Sequence, residues 1–89
     1  TRHPRPDDVL LIVEVADTSL LYDRRTKLPL YARACIREVW LIDLQAQAIE
    51  VHRRPSFRIY RDCEVFRRGG RIAPSTFPRT YFRVNELLG

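Results

Sequence analysis

Several residue types are scarce in this 89-residue sequence, and their scarcity excludes some classes of protein. The chain has no methionine, one lysine, three glycines and two cysteines. Cys35 and Cys63 form no Cys-x-x-Cys pair and share no metal-ligand spacing with His3 or His52. We therefore expect neither a disulfide framework nor a zinc finger, but buried, inert thiols in a reducing cytoplasm.

Long apolar stretches are absent as well. The longest one, residues 9–16, is interrupted by Glu14 and is much shorter than the about 20 residues that a membrane-spanning helix needs. Hydrophobic residues make up 45% of the chain and charged residues 30%, which is typical of a globular domain. Because the sequence starts at Thr1 and contains no methionine, we interpret its 89 residues as the C-terminal portion of a single domain whose N-terminal part is missing.

The positive charge of the chain lies in its second half. Residues 1–44 carry seven basic and seven acidic side chains, whereas residues 45–89 carry nine basic and four acidic ones. An arginine-rich surface is typical of proteins that contact the phosphates of nucleic acids. A genome that encodes arginine wherever a base is tolerated would give the same composition. The spread of the arginines among strand residues slightly favours this second interpretation.

The apolar pattern predicts an α/β fold with a mixed β-sheet. Residues 9–16 are apolar on both faces, which is typical of a strand in the middle of a sheet. Residues 20–34 have helical spacing, and Pro29 predicts either a kink there or a restart of the helix near Asp23. Residues 39–44 form a second apolar strand, and the short connections favour a right-handed parallel crossover, the βαβ unit.

The pattern changes after the second strand. Residues 48–53 and 57–66 alternate apolar and charged side chains around a turn at 54–56, and they predict an antiparallel hairpin with one solvated face. The glycine pair at 69–70 lacks the length and the following helix of a phosphate-binding loop, so it predicts a turn. A short helical turn is expected at 84–88.

Glu14 is the residue whose position most suggests chemistry. It interrupts an apolar strand, where an unpaired buried carboxylate would be costly. Catalytic and ligand-binding groups in such sheets lie at the carboxyl ends of strands, where Glu14 stands. Two structural alternatives stay open: an edge strand with Glu14 facing solvent, or a buried Glu14 paired with an arginine.

Lys27 is the only lysine in a chain that otherwise uses arginine, which suggests a need for a compact ammonium group. It lies one helical turn from Asp23 and from Tyr31, and an ordinary Asp23–Lys27 pair on a solvated face is the alternative. Glu14 beside Lys27, with a second carboxylate from another strand, would bind Mg²⁺ or Mn²⁺ together with a phosphodiester.

Three further residues have both a structural and a functional interpretation. Trp40 is expected in the core rather than stacked on a base. Tyr31 is expected in the core rather than at the border of a site near Lys27. Asp43 ends its strand and is expected in a turn rather than as a third metal ligand.

The run from Glu14 to Asp43 carries a set of recognisable motifs. They are Val13-Glu14-Val15, Tyr22-Asp23, Lys27-Leu28, Leu30-Tyr31-Ala32-Arg33-Ala34, Glu38-Val39-Trp40-Leu41 and Asp43. The hairpin, the glycine turn, the Ser-Thr-Phe-Pro segment and the terminal Glu-Leu-Leu fit the same pattern. In these features the chain resembles, over nearly its whole length, the Uma-type putative restriction endonucleases within the PD-(D/E)XK nuclease superfamily.

The resemblance implies a restriction-endonuclease-like fold and a DNA endonuclease that hydrolyses phosphodiester bonds with Mg²⁺ or Mn²⁺. It implies that Glu14 is the motif's glutamate, a catalytic residue and metal ligand. Ala16 occupies the position where the superfamily usually has its lysine, and the resemblance makes Lys27, on the following helix, the candidate for that catalytic role. The resemblance further implies DNA as the partner and a homodimer as the assembly.

One departure from the family pattern concerns the motif's aspartate. Residues 6–7 spell the expected Pro-Asp pair, but they lead into the strand that contains Glu14. Seven residues along a strand span roughly 23 Å, too far for one shared metal ion. We therefore expect the true aspartate in the missing N-terminal part, which would leave the 89-residue chain alone inactive. The alternative function is a non-catalytic nucleic-acid-binding or assembly module on the same fold.

Overall fold

The structure, a computed structural model, describes Arg5 and residues 8–89. Its larger sheet contains four strands in the spatial order β1 (Ile12–Ala16), β2 (Glu38–Asp43), β3 (Ala48–Ser56) and β4 (Ile59–Arg67). β1 runs parallel to β2, whereas β3 is antiparallel to both of its neighbours, β2 and β4. The predicted α/β fold, a mixed sheet with a βαβ unit followed by an antiparallel hairpin, is confirmed.

One helical run connects β1 to β2 and packs on the sheet. It comprises α1 (Leu20–Tyr22), a π-helical segment (Asp23–Lys27) and α2 (Leu28–Arg33), within one residue of the predicted helix. In the π-helical segment the Leu28 N–H donates to the Asp23 carbonyl oxygen, five residues back. A proline inside a regular helix clashes with the carbonyl group four residues before it. The wider turn therefore lies where Pro29 would otherwise strain the helix. No helix of the described residues is long and apolar enough to cross a membrane.

Two hydrophobic clusters lie on opposite faces of the sheet. Beneath the helical run, Leu28 packs with Val39 and Leu41 of β2. On the other face, Trp40 and Ile42 pack with residues of β3 and with the C-terminal segment. That segment comprises β5 (Arg71–Ile72), β6 (Phe82–Arg83) and α3 (Val84–Leu88). β2 is therefore buried along its whole length, and the predicted core position of Trp40 is found.

β1 differs from the prediction for residues 9–16. It lies at one end of the described sheet, and its Val13 and Val15 side chains are 44% and 60% exposed. The prediction of a central strand buried on both faces is wrong for β1 in the described part of the chain, and β2 is the strand with that property. Apolar residues on both faces of a strand indicate two apolar surfaces, but not whether both are covered.

β3 and β4 form the predicted hairpin with a shifted turn. The predicted turn residues 54–56 belong to β3, Pro55 is paired with Tyr60, and the chain reverses at Phe57 and Arg58. Phe57 adopts a φ of 59°, in the left-handed region that two-residue hairpin turns require. Most of β4 is exposed, as the predicted solvated face requires.

A buried carboxylate connects the C-terminal segment to β2. Glu38 accepts hydrogen bonds from the Trp40 indole N–H (2.7 Å), Arg53 Nε (3.0 Å), and the backbone N–H and hydroxyl of Ser75 (2.8 and 2.7 Å). Burial alone would raise the pKa of the Glu38 carboxyl, but the hydrogen bonds from Ser75 and Trp40 and the charge of Arg53 outweigh burial and lower it. The carboxylate is therefore ionised although the residue is fully buried.

Candidate functional site

Glu14 and Lys27 lie next to each other between the sheet and the helical run. Lys27 Nζ is 3.4 Å from Glu14 Oε2, and the Tyr31 hydroxyl donates a 2.5 Å hydrogen bond to Glu14 Oε1. Lys27 and Tyr31 are four residues apart and so share one face of the helix. From this face, each of them contacts one oxygen of the Glu14 carboxylate. The side chains of Glu14 and Lys27 are 24% and 37% exposed, so solvent reaches this pair.

Asp23 is the second anion that contacts Lys27. Its Oδ1 lies 3.4 Å from Lys27 Nζ, and its Oδ2 accepts a 3.3 Å hydrogen bond from the Ser19 hydroxyl. The Asp23 side chain is only 3% exposed, so the Asp23–Lys27 pair does not lie on a solvated face. The ammonium group of Lys27 is therefore held by two carboxylates, one from β1 and one from its own helical run.

These contacts fix the protonation states of the group. Burial lowers the pKa of Lys27, but its hydrogen bonds and ion pairs with Glu14 and Asp23 outweigh burial and raise that pKa. The hydrogen bond to Glu14, together with burial, raises the pKa of the Tyr31 hydroxyl. Lys27 is therefore a cation and Tyr31 a neutral donor at neutral pH.

The structure places the remaining predicted residues as follows. Tyr31 packs against the hydrophobic cluster beneath the helical run, as predicted, and its hydroxyl also borders the site by binding Glu14. Its (i, i+4) spacing from Lys27 was the one sequence signal for that second contact. Asp43 accepts a 3.0 Å hydrogen bond from the Ala46 backbone N–H, which agrees with the predicted turn. The Pro-Asp pair at 6–7 lies outside the described residues.

A second polar group lies on the same sheet face, on the hairpin. Glu50 is buried and accepts two hydrogen bonds from the Arg24 guanidinium, one of them from Nε at 3.2 Å. His52 Nε2 is 3.0 Å from Glu50 Oε1, and Cys63 Sγ is 3.8 Å from the same ring nitrogen. The sequence shows no metal-ligand spacing between His52 and Cys63, but the hairpin register makes them cross-strand partners. The prediction of buried thiols is wrong, since both cysteines are exposed.

Neighbouring side chains shift the pKa values of Glu50 and Cys63 in this second group. Burial opposes ionisation of Glu50, but the hydrogen bonds from His52 and Arg24 outweigh it and lower the pKa of the carboxyl to about 2. Although Cys63 is an exposed residue, its thiol is partly desolvated, and this desolvation together with the nearby Glu50 charge raises the pKa of the thiol. The π-helical segment thus supplies one cation to each of two sheet carboxylates, Arg24 to Glu50 and Lys27 to Glu14.

Comparison with known proteins agrees with the motifs of the sequence. The family model "Uma2: Putative restriction endonuclease" matches residues 1–85. No curated protein and no solved structure matches the chain. The family match covers nearly the whole chain and confirms the resemblance found in the sequence.

Proposed function

This chain belongs to the Uma2 family, whose description is "Putative restriction endonuclease", and we propose that it is part of a divalent-metal-dependent enzyme that hydrolyses phosphodiester bonds in DNA. The observation that carries the proposal is the 3.4 Å contact between Glu14 and Lys27. Such hydrolysis needs a carboxylate that holds a cation and a positive group that faces the phosphate, and these two side chains supply both at one solvent-accessible point.

The residues around Glu14 suit a hard divalent cation. Mg²⁺ and Mn²⁺ prefer carboxylate oxygens and water, and Glu14 is the partly exposed carboxylate of the group. An ion held there would lower the pKa of a coordinated water and neutralise charge on the phosphate. Asp23 is buried and already accepts a hydrogen bond from Ser19, so it is better suited to position Lys27 than to bind the ion.

The other side chains of the site would act on the phosphate or on one another. The Lys27 ammonium would stabilise the negative charge that develops on the phosphate oxygens and would orient the attacking water. Asp23 keeps this ammonium beside Glu14, and Tyr31 holds the other oxygen of Glu14. We therefore propose Glu14 and Lys27 as catalytic residues, with Asp23 and Tyr31 as positioning residues.

The proposal requires a second metal-binding carboxylate from outside the described residues, which we expect in an N-terminal part of the protein. In the described part of the chain, Asp23 is the other carboxylate within 4 Å of Lys27 Nζ, and it is nearly inaccessible to solvent. We therefore expect the 89-residue chain alone to leave DNA intact and the full-length protein to cleave it. Because one site cuts one strand of a duplex, we also propose a homodimer, which a measurement of mass in solution would test.

The test uses the full-length protein, supercoiled plasmid DNA and Mg²⁺. Glu14→Gln and Lys27→Ala should each lower the nicking rate by about 100-fold or more while the circular dichroism spectrum stays that of the wild type. Glu64→Gln and Arg25→Ala change exposed residues of the same charge and are matched controls that should keep the wild-type rate. Equal nicking by the wild type and by Glu14→Gln would overturn the assignment.

A nucleic-acid-binding or assembly module without catalysis is the second candidate. The exposed arginines of the hairpin favour it, among them Arg58, Arg61 and Arg67. Binding through such arginines weakens steeply with added salt and does not depend on Glu14 or on Mg²⁺. Salt-dependent DNA binding in every variant, with no cleavage in any of them, would favour this module over the nuclease.

A further inference from the structure

The β3–β4 hairpin carries three side chains with metal-binding atoms that the proposed nuclease chemistry does not use. A carboxylate oxygen of Glu50, an imidazole nitrogen of His52 and the thiol sulfur of Cys63 all lie within 4.8 Å of one another. Glu50 Oε1 and His52 Nε2 are 3.0 Å apart, and His52 Nε2 and Cys63 Sγ are 3.8 Å apart. Neighbouring ligands of a tetrahedral zinc ion are about 3.3–3.6 Å apart, given its bond lengths.

The backbone holds these three side chains together. Glu50 and His52 are two residues apart on β3 and so lie on the same face of the sheet. Cys63 is the direct cross-strand partner of His52 on β4. A cavity of about 290 Å³, whose lining includes His52, Cys63 and Arg24, gives access from solvent. Side-chain shifts of about 1 Å would therefore bring all three atoms to ligand positions.

We propose that Glu50, His52 and Cys63 form a binding site for a borderline transition-metal ion of the Zn²⁺ class, with water as the fourth ligand. Zinc combines thiolate, imidazole and carboxylate ligands, whereas Mg²⁺ and Mn²⁺ favour oxygen ligands alone. On coordination the thiol proton leaves to solvent, and the carboxylate and thiolate charges then balance the charge of the ion.

This site is separate from the one at Glu14. Glu14 is paired with Leu41 across β1 and β2, and Leu41 is paired with Glu50 across β2 and β3. Glu14 and Glu50 thus lie in one cross-strand row with Leu41 between them, and their backbones are two strand spacings, or about 10 Å, apart. One ion cannot bridge them, because metal–oxygen bonds are only about 2.0–2.6 Å long.

Arg24 competes with the ion for Glu50. Its guanidinium binds both oxygens of the Glu50 carboxylate and so competes with an ion for their lone pairs. The Arg24 side chain is 45% exposed, and it can therefore return to water without movement of the helical run. The cluster thus has an arginine-bound state and a metal-bound state, and loss of the Arg24 charge favours the second.

Direct metal binding tests this site without reference to DNA cleavage. Zn²⁺ affinity of the full-length protein is measured by calorimetry, and Co²⁺ serves as a probe because a thiolate ligand adds a sulfur-to-cobalt charge-transfer band. Cys63→Ser should remove that band and weaken Zn²⁺ binding by about 10-fold or more, and His52→Gln should weaken it similarly. Cys35→Ser changes the other exposed cysteine and is the matched control, which should bind as the wild type does.

Arg24→Gln should bind Zn²⁺ more tightly than the wild type, because the competing guanidinium is gone. Equal Zn²⁺ affinity in the wild type and in Cys63→Ser would overturn the site, and so would a Co²⁺ complex without a thiolate band. A loss in Cys35→Ser as large as that in Cys63→Ser would also overturn it, since binding would then follow exposed thiols in general. Unchanged affinity in Arg24→Gln would overturn the competition between arginine and metal.

Discussion

Removing the Glu38 carboxylate should destabilise the fold more than any exposed glutamate would. Four donors converge on its two oxygens: the backbone N–H and hydroxyl of Ser75 bind Oε1, while Trp40 Nε1 and Arg53 Nε bind Oε2. Trp40 is 2% exposed, so its N–H has no access to water once the carboxylate is gone. Arg53 is partly exposed and can be rehydrated more easily.

The two obvious substitutions should differ in cost. Glu38→Ala leaves a buried N–H and a partly buried guanidinium without their acceptor, and loss of one partner of a buried ion pair costs about 3–5 kcal/mol. Glu38→Gln can keep its carbonyl oxygen toward Trp40 and Arg53, while the Ser75 hydroxyl rotates to accept from the new amide. Glu38→Gln loses mainly the hydrogen bond from the Ser75 N–H and the ionic attraction to Arg53. We therefore expect it to lower the free energy of unfolding by about 1–3 kcal/mol.

Both losses of unfolding free energy are measured by urea unfolding. The transition is monitored by circular dichroism and by the fluorescence of Trp40, the one tryptophan of the chain. Glu64→Gln, at an exposed position of β4, is the matched control and should stay within about 0.5 kcal/mol of the wild type. If Glu38→Ala unfolds at the same urea concentration as Glu64→Gln, the buried network contributes nothing to stability and the reasoning is refuted.

Three further predictions concern acid, the site and the core. Folding lowers the pKa of the Glu38 carboxyl from its usual value of 4.5. The carboxylate therefore stabilises the fold above pH 4.5, and this stabilisation is lost as the pH falls below that value. The difference in unfolding free energy between the wild type and Glu38→Gln should shrink over the same fall in pH. Tyr31→Phe keeps the ring but loses the hydrogen bond to Glu14, at a cost of about 0.5–1.5 kcal/mol in urea unfolding. It should also slow DNA nicking by the full-length protein, and a wild-type nicking rate would contradict a positioning role. Leu41→Ala should cost about 2–5 kcal/mol in thermal or urea unfolding, because Leu41 is fully buried. Val15→Ala, at a 60% exposed position, should lower the free energy of unfolding by less than about 1 kcal/mol. Equal losses in Leu41→Ala and Val15→Ala would contradict the buried position of Leu41 and the exposed position of Val15.

Most of the fold was predictable because apolar periodicity reports the type of each element. The βαβ unit follows from two apolar strands around a helical spacing, and the hairpin follows from alternating apolar and charged residues. The prediction of a central, fully buried strand was wrong for β1 for a physical reason. Val13 and Val15 form an apolar surface, but the sequence of a strand does not show whether another element covers such a surface. The prediction of a kink at Pro29 or a restart near Asp23 found the right region, and the irregularity takes the form of a π-helical segment that begins at Asp23.

The site was predictable only in part. The helical run that connects β1 to β2 packs on the sheet beside β1, which is why a carboxylate on β1 and the only lysine of the helix come together. The burial of Asp23 had no sequence signal beyond its (i, i+4) spacing to Lys27. The roles of these residues stay predictions.

The contact between His52 and Cys63 depends on the register of the hairpin. A turn centred on residues 54–56 would place His52 opposite Arg58, whereas the turn at Phe57 and Arg58 places it opposite Cys63. A shift of the turn by a few residues changes every cross-strand pair of a hairpin. The sequence pattern located the two strands but not the turn between them, and for that reason it could not bring the three metal-binding side chains together.

The Glu38–Ser75 contact also bears on the order in which the chain folds. It joins residues 37 positions apart, whereas the β3–β4 hairpin closes over a two-residue turn. Closing a longer loop costs more chain entropy, so the hairpin can form early and the C-terminal segment docks on β2 late. A contact that forms after the transition state of folding changes the unfolding rate rather than the folding rate. The Glu38–Ser75 bonds therefore bear on the lifetime of the native state, and we expect their loss to speed unfolding more than it slows refolding.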